Sequence, residues 1–192
     1  MNKPEVGNKL LWILAALVMT AIVALYFYGW FNALTCPLSI GYEGHNLYNA
    51  TALAEGKNIY DPNTLNSPPW SLAIYPPVYY VLVAPFQLAF GWNHWSGRLV
   101  SIVSLLITAW ASFRLFRLSG ASKLVSTVAL STFLSYFCVW SWSFFGRVDL
   151  LSIAFSVLAI ERFMTIYPDK AARDSEKKKS NQTTLAKIID FA

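Results

Sequence analysis

The chain has 192 residues, of which 56% are hydrophobic and only 13% are charged. Soluble domains carry about 25% charged residues, so this composition argues against an ordinary soluble domain. The net charge of +5 comes from basic residues at the termini and in short loops, which is the pattern of a membrane topology signal. It therefore gives little reason to expect a nucleic-acid partner. The two cysteines, Cys36 and Cys138, define neither a disulfide framework nor a metal site.

The first predicted element is a membrane span over residues 10–31, which contain no charged residue. A helix needs about 20 apolar residues to cross the hydrocarbon core of a bilayer. Comparable apolar runs begin near Leu99, Leu124 and Leu150. The predicted fold class is therefore all-α, a polytopic membrane helix bundle with four to five transmembrane helices.

Charge predicts the sidedness of the N-terminus. Lys3 and Lys9 precede the first span, and basic residues favour the cytoplasmic side. We therefore expect residues 1–9 to be cytoplasmic and the protein to be a multi-pass integral membrane protein. A transmembrane module is predicted over 10–167, and the polar stretch 168–192 is predicted to be a disordered tail.

The loop over residues 32–74 is predicted to face outward. Within it, Leu47, Ala50 and Ala54 recur at helical spacing, and Gly56 is a plausible helix C-cap. This pattern predicts a short amphipathic helix lying on the membrane surface.

The proline-rich segment 75–91 leaves two topologies open. If it crosses the membrane, the basic loop that follows near residue 117 and the lysine-rich tail both lie outside, against the positive-inside rule. If it dips into the membrane and returns, both basic segments lie inside. Broken backbone is tolerated at membrane depth where protein covers it. We favour the second topology, which has four crossings and one partial one, and which places Asp149 on the same outer face as Glu43.

Glu43 and Asp149 are the candidate catalytic residues. Glu43 lies near the start of the predicted surface helix, where a carboxylate could act as a general base on an acceptor hydroxyl. Asp149 follows Arg147 and opens the last apolar segment. Each has a structural alternative, since Glu43 could be an ordinary helix-start acid and Asp149 an N-cap.

The candidate substrate-binding residues are cationic or aromatic. Arg98 and Arg147 could contact a lipid phosphate, and the prolines beside Tyr75 and Tyr79 favour a rigid aromatic surface. His45 lies close to Glu43 but lacks a spaced partner, so we predict no metal site there. The sequence contains no glycine-rich phosphate loop, and we predict no cofactor.

The order of these motifs resembles the N-terminal part of membrane glycosyltransferases of the C superfamily (the GT-C fold), and it looks most like the family 39 and family 87 types. The resemblance covers about residues 10–165. It is carried by Tyr42-Glu43-Gly44, Gly56-Lys57-Asn58-Ile59-Tyr60, Tyr75-Pro76-Pro77, Gly97-Arg98-Leu99 and Gly146-Arg147-Val148-Asp149.

The resemblance implies a function. Such enzymes transfer a sugar from a polyprenyl-phosphate donor to an acceptor hydroxyl on the outer face, without a metal. It implies that Glu43 is the catalytic base and Asp149 the second acid, with polyprenyl-phosphate-linked sugar and the lipid bilayer as partners. Family members run to several hundred residues, so a second membrane subunit is a further expected partner. The alternative function is a non-catalytic membrane subunit, or a truncated relative, that keeps the fold for assembly or lipid binding.

Overall fold

The computed structural model describes residues 3–38 and 42–167, and within these it contains seven α-helices and no strand. In chain order they are α1 Lys3–Thr35, α2 Glu43–Ala54, α3 Val78–Phe90, α4 Trp95–Leu118, α5 Lys123–Ser135, α6 Phe137–Trp142 and α7 Val148–Ile166, with a 3₁₀ helix at Pro62–Asn66. The all-α prediction is confirmed for the described residues. The predicted disordered tail, 168–192, lies outside them.

In the described part of the chain two helical segments, Lys9–Thr35 and Trp95–Leu118, are long and apolar enough to cross a membrane. The other apolar helices fall short for identifiable reasons. At 1.5 Å per residue, α3 and α5 are each about 20 Å long, against about 30 Å for the hydrocarbon core. The longer α7 carries three charged residues, Asp149, Glu161 and Arg162. The structure thus supports two of the four to five predicted spans by length and composition.

Contacts at both ends of α4 and α7 show how these two helices are oriented. Gly146, just before α7, packs on Gly97 in the first turn of α4, and Glu161 near the end of α7 pairs with Arg114 near the end of α4. The two helices therefore run parallel. We call the end with Gly97 and Gly146 the Glu43 end and the opposite one the Glu161 end.

Helices α1 and α5 run in the direction opposite to α4 and α7. Arg98 in the first turn of α4 hydrogen-bonds carbonyls at the C-terminal end of α1, so α1 is antiparallel to α4. Helix α5 packs along α1, since the Tyr26 hydroxyl of α1 donates to the Leu134 carbonyl oxygen of α5.

Helix α3 does not run the length of the bundle. Near its start, the Tyr79 hydroxyl lies beside Gly97, and near its end Gln87 donates to the Ser96 hydroxyl at 2.6 Å. Both ends thus contact the first turn of α4.

The helix predicted in this loop is confirmed as α2, but it does not lie on the surface of the fold. Gly56 adopts a φ of +77°, which favours glycine, and the Lys57 N–H donates to the Ala52 carbonyl oxygen in a C-terminal cap. However, Leu47 and Ala50 are fully buried and pack in one cluster with Tyr79 and other residues of α3. The helix is therefore integrated into the fold.

The predicted span that begins near Leu124 is broken. Its backbone leaves the helical conformation at Tyr136, which has ψ near 127° and separates α5 from α6. Ser122 caps the start of α5 by accepting a bond from the Val125 N–H. The result is one short helix and one turn of helix where the sequence suggested a continuous segment.

Close contact between α4 and α7 depends on small residues. Ser101, Ser104 and Thr108 are buried on α4, and the last two donate to carbonyls one turn back in their own helix. Small side chains let two helix backbones approach closely, as in membrane helix pairs. At the Glu43 end, Gly97 and Gly146 lie against each other, and a methyl group added to Gly97 would come within 3.3 Å of the Gly146 Cα.

Gly97→Ala is expected to destabilise the protein. The added methyl carbon would lie 2.6 Å from the Tyr79 hydroxyl oxygen and 3.3 Å from the Gly146 Cα. Overpacking of this kind typically costs about 1–3 kcal/mol, which corresponds to a fall of several degrees in Tm. The matched control is Gly7→Ala in α1, where a methyl group meets nothing within 4 Å. Thermal unfolding in mild detergent should separate the two variants, and equal Tm values would contradict this packing.

Candidate functional site

Glu43 is the first residue of α2, and its side chain is fully buried. The Gly146 N–H donates to its Oε1 at 2.9 Å. Asn46, one turn further along α2, donates to the carbonyl oxygen of the same glycine. Two side chains of α2 thus hold the backbone that leads into α7, and Glu43 lies at the meeting point of several segments.

The partner of Glu43 is Arg98, which is 1% exposed. Arg98 Nε donates to Glu43 Oε1 and Nη2 donates to Oε2, each at 2.7 Å. The remaining donors reach the carbonyl oxygens of Ala33, Cys36 and Leu38 at the end of α1. A guanidinium group has five N–H donors, and here five protein oxygens accept from it.

This bidentate pair is the strong form of a charged hydrogen bond. Because the pair is buried, its stability depends on how many of its donors and acceptors have partners. Removing two charges from water costs several kcal/mol per ion unless the geometry and the surrounding hydrogen bonds are good. Glu43 and Arg98 meet that condition. His94 lies nearby, with Nδ1 at 3.9 Å from Glu43 Oε2, and burial lowers its pKa from the usual histidine value, which favours the neutral ring.

The geometry argues against the roles predicted for both residues. A general base must come within hydrogen-bond reach of the proton that it removes, and the Glu43 carboxylate has no exposed surface. Arg98 has no donor left for a lipid phosphate, since all five are used by the protein. In this conformation both residues join segments of the fold.

Asp149 lies in a more open position. It is in the first turn of α7, and its Oδ2 accepts from Arg147 Nε at 2.9 Å. Both side chains keep a quarter or more of their surface exposed. Arg147 also stacks on the Trp142 ring at 5.1 Å. The N-cap of α7 is Arg147, so the structure does not support the alternative that Asp149 is an N-cap.

A cavity of about 420 Å³ opens beside Asp149. Its size falls within the range of small-molecule sites. We call it the Asp149 cavity, and its lining consists of Tyr75, Pro76, Val78, Tyr79, Val148, Asp149, Leu151, Ser152, Phe155 and Ser156. Asp149 is the only Asp, Glu, Lys, Arg or His residue among these lining residues, and the walls are otherwise mostly apolar.

The structure brings Tyr75 and Tyr79 to this cavity together with Asp149. Tyr60, in the turn that follows α2, donates its hydroxyl to the Tyr75 carbonyl oxygen at 2.6 Å and so fixes the entry to the proline pair. The Tyr79 ring lines the cavity, while its hydroxyl is buried beside Gly97 and Gly146 and has no hydrogen-bond partner among the described residues. Tyr79 therefore separates the cavity from the Glu43–Arg98 pair.

His45 belongs to a different polar cluster. Its two ring nitrogens lie 3.1 Å from the Asn49 amide nitrogen and from the Ser71 hydroxyl. These contacts attach α2 to the connector before α3. His45 does not line the Asp149 cavity. No group of three potential metal ligands occurs in the part of the chain that the structure describes.

Sequence reasoning missed the Glu43–Arg98 pair, the contact with His94 and the position of the Tyr79 hydroxyl. A signal was present in the two Gly-Arg dipeptides, Gly97-Arg98 and Gly146-Arg147. In each, the glycine permits the close approach while the arginine binds an acid.

Comparisons of this chain with protein-family models, with curated proteins and with solved structures found no match.

The losses of stability caused by changing Glu43 and Arg98 are expected to be less than additive. Arg98→Met or Glu43→Gln alone leaves a buried charged or polar partner unsatisfied, which typically costs about 3–5 kcal/mol. The double variant should lose less than the sum of the two single losses, because neither charge remains. Unfolding by SDS titration in mixed micelles would measure this. The control pair is Glu55 and Lys57, a solvent-exposed ion pair, whose removal should leave the midpoint unchanged. Additive losses at Glu43 and Arg98 would contradict the pairing.

Proposed function

We propose that this chain is a membrane glycosyltransferase module of the GT-C type, which transfers a sugar from a polyprenyl-phosphate donor to an acceptor hydroxyl. The observation that carries the proposal is the Asp149 cavity, in which a single carboxylate lies among apolar and aromatic walls. A lipid-linked sugar needs an apolar surface for the lipid and a few polar groups for the reacting end. This cavity offers both.

The proposed membrane placement follows from charge and from helix direction. Arg114, Arg117 and Lys123 lie at or near the Glu161 end, close to the start of the first candidate span at Lys9. The positive-inside rule assigns this end to the cytoplasm. The Glu43 end and the Asp149 cavity then face outward, and the N-terminus is cytoplasmic. Helix α3, whose ends both meet the first turn of α4, supports a bundle in which the segment 75–91 does not cross.

In the proposed reaction, Asp149 takes the proton of the acceptor hydroxyl. The acceptor oxygen then forms a bond to the anomeric carbon of the sugar, and the bond from that carbon to the phosphate oxygen breaks, so that the lipid phosphate leaves with the electron pair. Arg147 orients Asp149 through the bond to Oδ2, while no described residue bonds Oδ1. Glu43 and Arg98 act as positioning residues, because they hold the backbone before α7.

The second candidate function is a non-catalytic subunit for assembly or lipid binding. The observation that favours it is the exposure of α1, in which Ala15, Ile22 and Tyr26 are the only buried residues among those whose side chains are described. Most of its other described side chains are apolar and exposed, a surface suited to lipid or to a second subunit. A protein that is folded and binds lipid, but transfers no sugar from any polyprenyl-phosphate donor, would support this candidate.

The transferase proposal predicts that Asp149→Asn greatly lowers the rate of transfer. Loss of a general base typically lowers the rate by about 10²–10⁴-fold, without loss of folding, since Asp149 is partly exposed. The assay uses a panel of polyprenyl-phosphate sugars with the full chain in membranes. The matched control is Asp61→Asn, because Asp61 caps the 3₁₀ helix away from the cavity and asparagine also caps well. Equal turnover by wild type and Asp149→Asn would exclude Asp149 as the base.

The topology is tested separately. In a chain with Cys36 and Cys138 replaced by serine, Ser67→Cys in the connector before α3 should react with a membrane-impermeant maleimide from outside intact cells. Ser119→Cys at the C-terminal end of α4 should react only after permeabilisation. Both positions are exposed. Labelling of Ser119→Cys in intact cells would overturn the proposed sidedness.

A further inference from the structure

A second charged cluster lies at the Glu161 end, far along α4 and α7 from the Asp149 cavity. Arg114 on α4 and Arg162 on α7 both lie over the Trp110 ring, with their guanidinium carbons 5.1 and 5.9 Å from its centroid. Such distances fall within the range of cation–π contacts. Two arginines from different helices thus share one aromatic ring.

Glu161 lies beneath these arginines and is fully buried. Its Oε1 forms an ion pair with Arg114, with Nε at 2.8 Å, and its Oε2 lies 3.5 Å from Arg162 Nε and has no hydrogen-bond partner among the described residues. Thr165 also donates to Oε1. The acid neutralises one positive charge and attracts both arginines, Arg114 at the shorter distance.

The outer edges of the two guanidinium groups remain available. Among the described residues no acceptor bonds the Nη atoms of Arg114 or Arg162, and the two side chains are 38% and 57% exposed. One net positive charge is left after Glu161 is counted. Two fixed arginines with unused donors form a suitable site for a phosphate group, because guanidinium edges match phosphate oxygens.

We propose that Arg114 and Arg162 bind the phosphate of an anionic phospholipid at the cytoplasmic membrane surface. The proposal rests on the membrane placement given above but not on sugar transfer. Arg114 lies about one turn before the end of α4, and Arg162 about one turn before the end of α7. That depth corresponds to the headgroup region, where tryptophans such as Trp110 are also enriched. The surplus positive charge favours an anionic lipid over a zwitterionic one.

The test measures retention of phosphatidylglycerol and of phosphatidylcholine by the purified full chain, using native mass spectrometry from detergent micelles. Wild type should retain phosphatidylglycerol preferentially. Arg162→Gln should weaken the apparent Kd about fivefold, as expected for one basic residue at an anionic surface. Because Arg114→Gln alone leaves Glu161 buried without its closest partner, the second variant is the double change Arg114→Gln/Glu161→Gln, which should weaken binding to a similar extent.

The control is Arg117→Gln, which removes the same charge one turn further along α4 from a residue that is exposed and bonds the Ala121 carbonyl oxygen. It should weaken the Kd clearly less than Arg162→Gln does, because it removes surface charge but no proposed phosphate contact. An equal loss in Arg117→Gln, or equal retention of both lipids by wild type, would overturn the site. Displacement of phosphatidylglycerol by millimolar inorganic phosphate would reassign it to a soluble anion and overturn the lipid. Preferential lipid binding without any sugar transfer supports the lipid site and removes only the transferase proposal.

Discussion

The buried ion pair between Glu43 and Arg98 determines how the Glu43 end is assembled. Through it, the end of α1, the start of α2, the first turn of α4 and the backbone before α7 meet at one point. In an apolar chain, two buried charges are tolerated only when every donor and acceptor is satisfied. That requirement fixes the relative positions of four segments that hydrophobic packing alone would leave less well defined. It also explains why the Gly97–Gly146 contact must be so close.

The two acids at the Glu43 end differ in their burial. Glu43 is sealed behind Tyr79, while Asp149 opens into a cavity on the other side of that ring. Both acids lie at one end of the bundle, yet only one can meet a substrate without rearrangement. At the Glu161 end the acid is also buried, but its two arginine partners are exposed in part. The proposed sugar site and the proposed lipid site thus lie where charged side chains remain accessible, at Asp149 and at Arg114 and Arg162.

Much of this could be read from the sequence, and the rest depends on tertiary structure. The uncharged stretch 10–31 and Gly56 identify α1 and the end of α2 because these signals are local. Charge distribution favoured Glu43 and Asp149 at one end, in agreement with their positions in the bundle. The pairing of Glu43 with Arg98 joins residues 55 positions apart, which no local pattern reveals. The break at Tyr136 has no proline or glycine to mark it, so the run after Leu124 reads as continuous.

Carbodiimide labelling of carboxylates in the folded wild-type protein, followed by peptide mass spectrometry, tests the central claim that Glu43 is structural and Asp149 is accessible. Labelling is compared with that of exposed Glu55 and buried Glu161 in the same sample. We predict modification of Asp149 at a rate approaching that of Glu55, and protection of Glu43 to the level of Glu161 until the protein is denatured. Modification of Glu43 as fast as that of Asp149 in the folded protein would contradict the account.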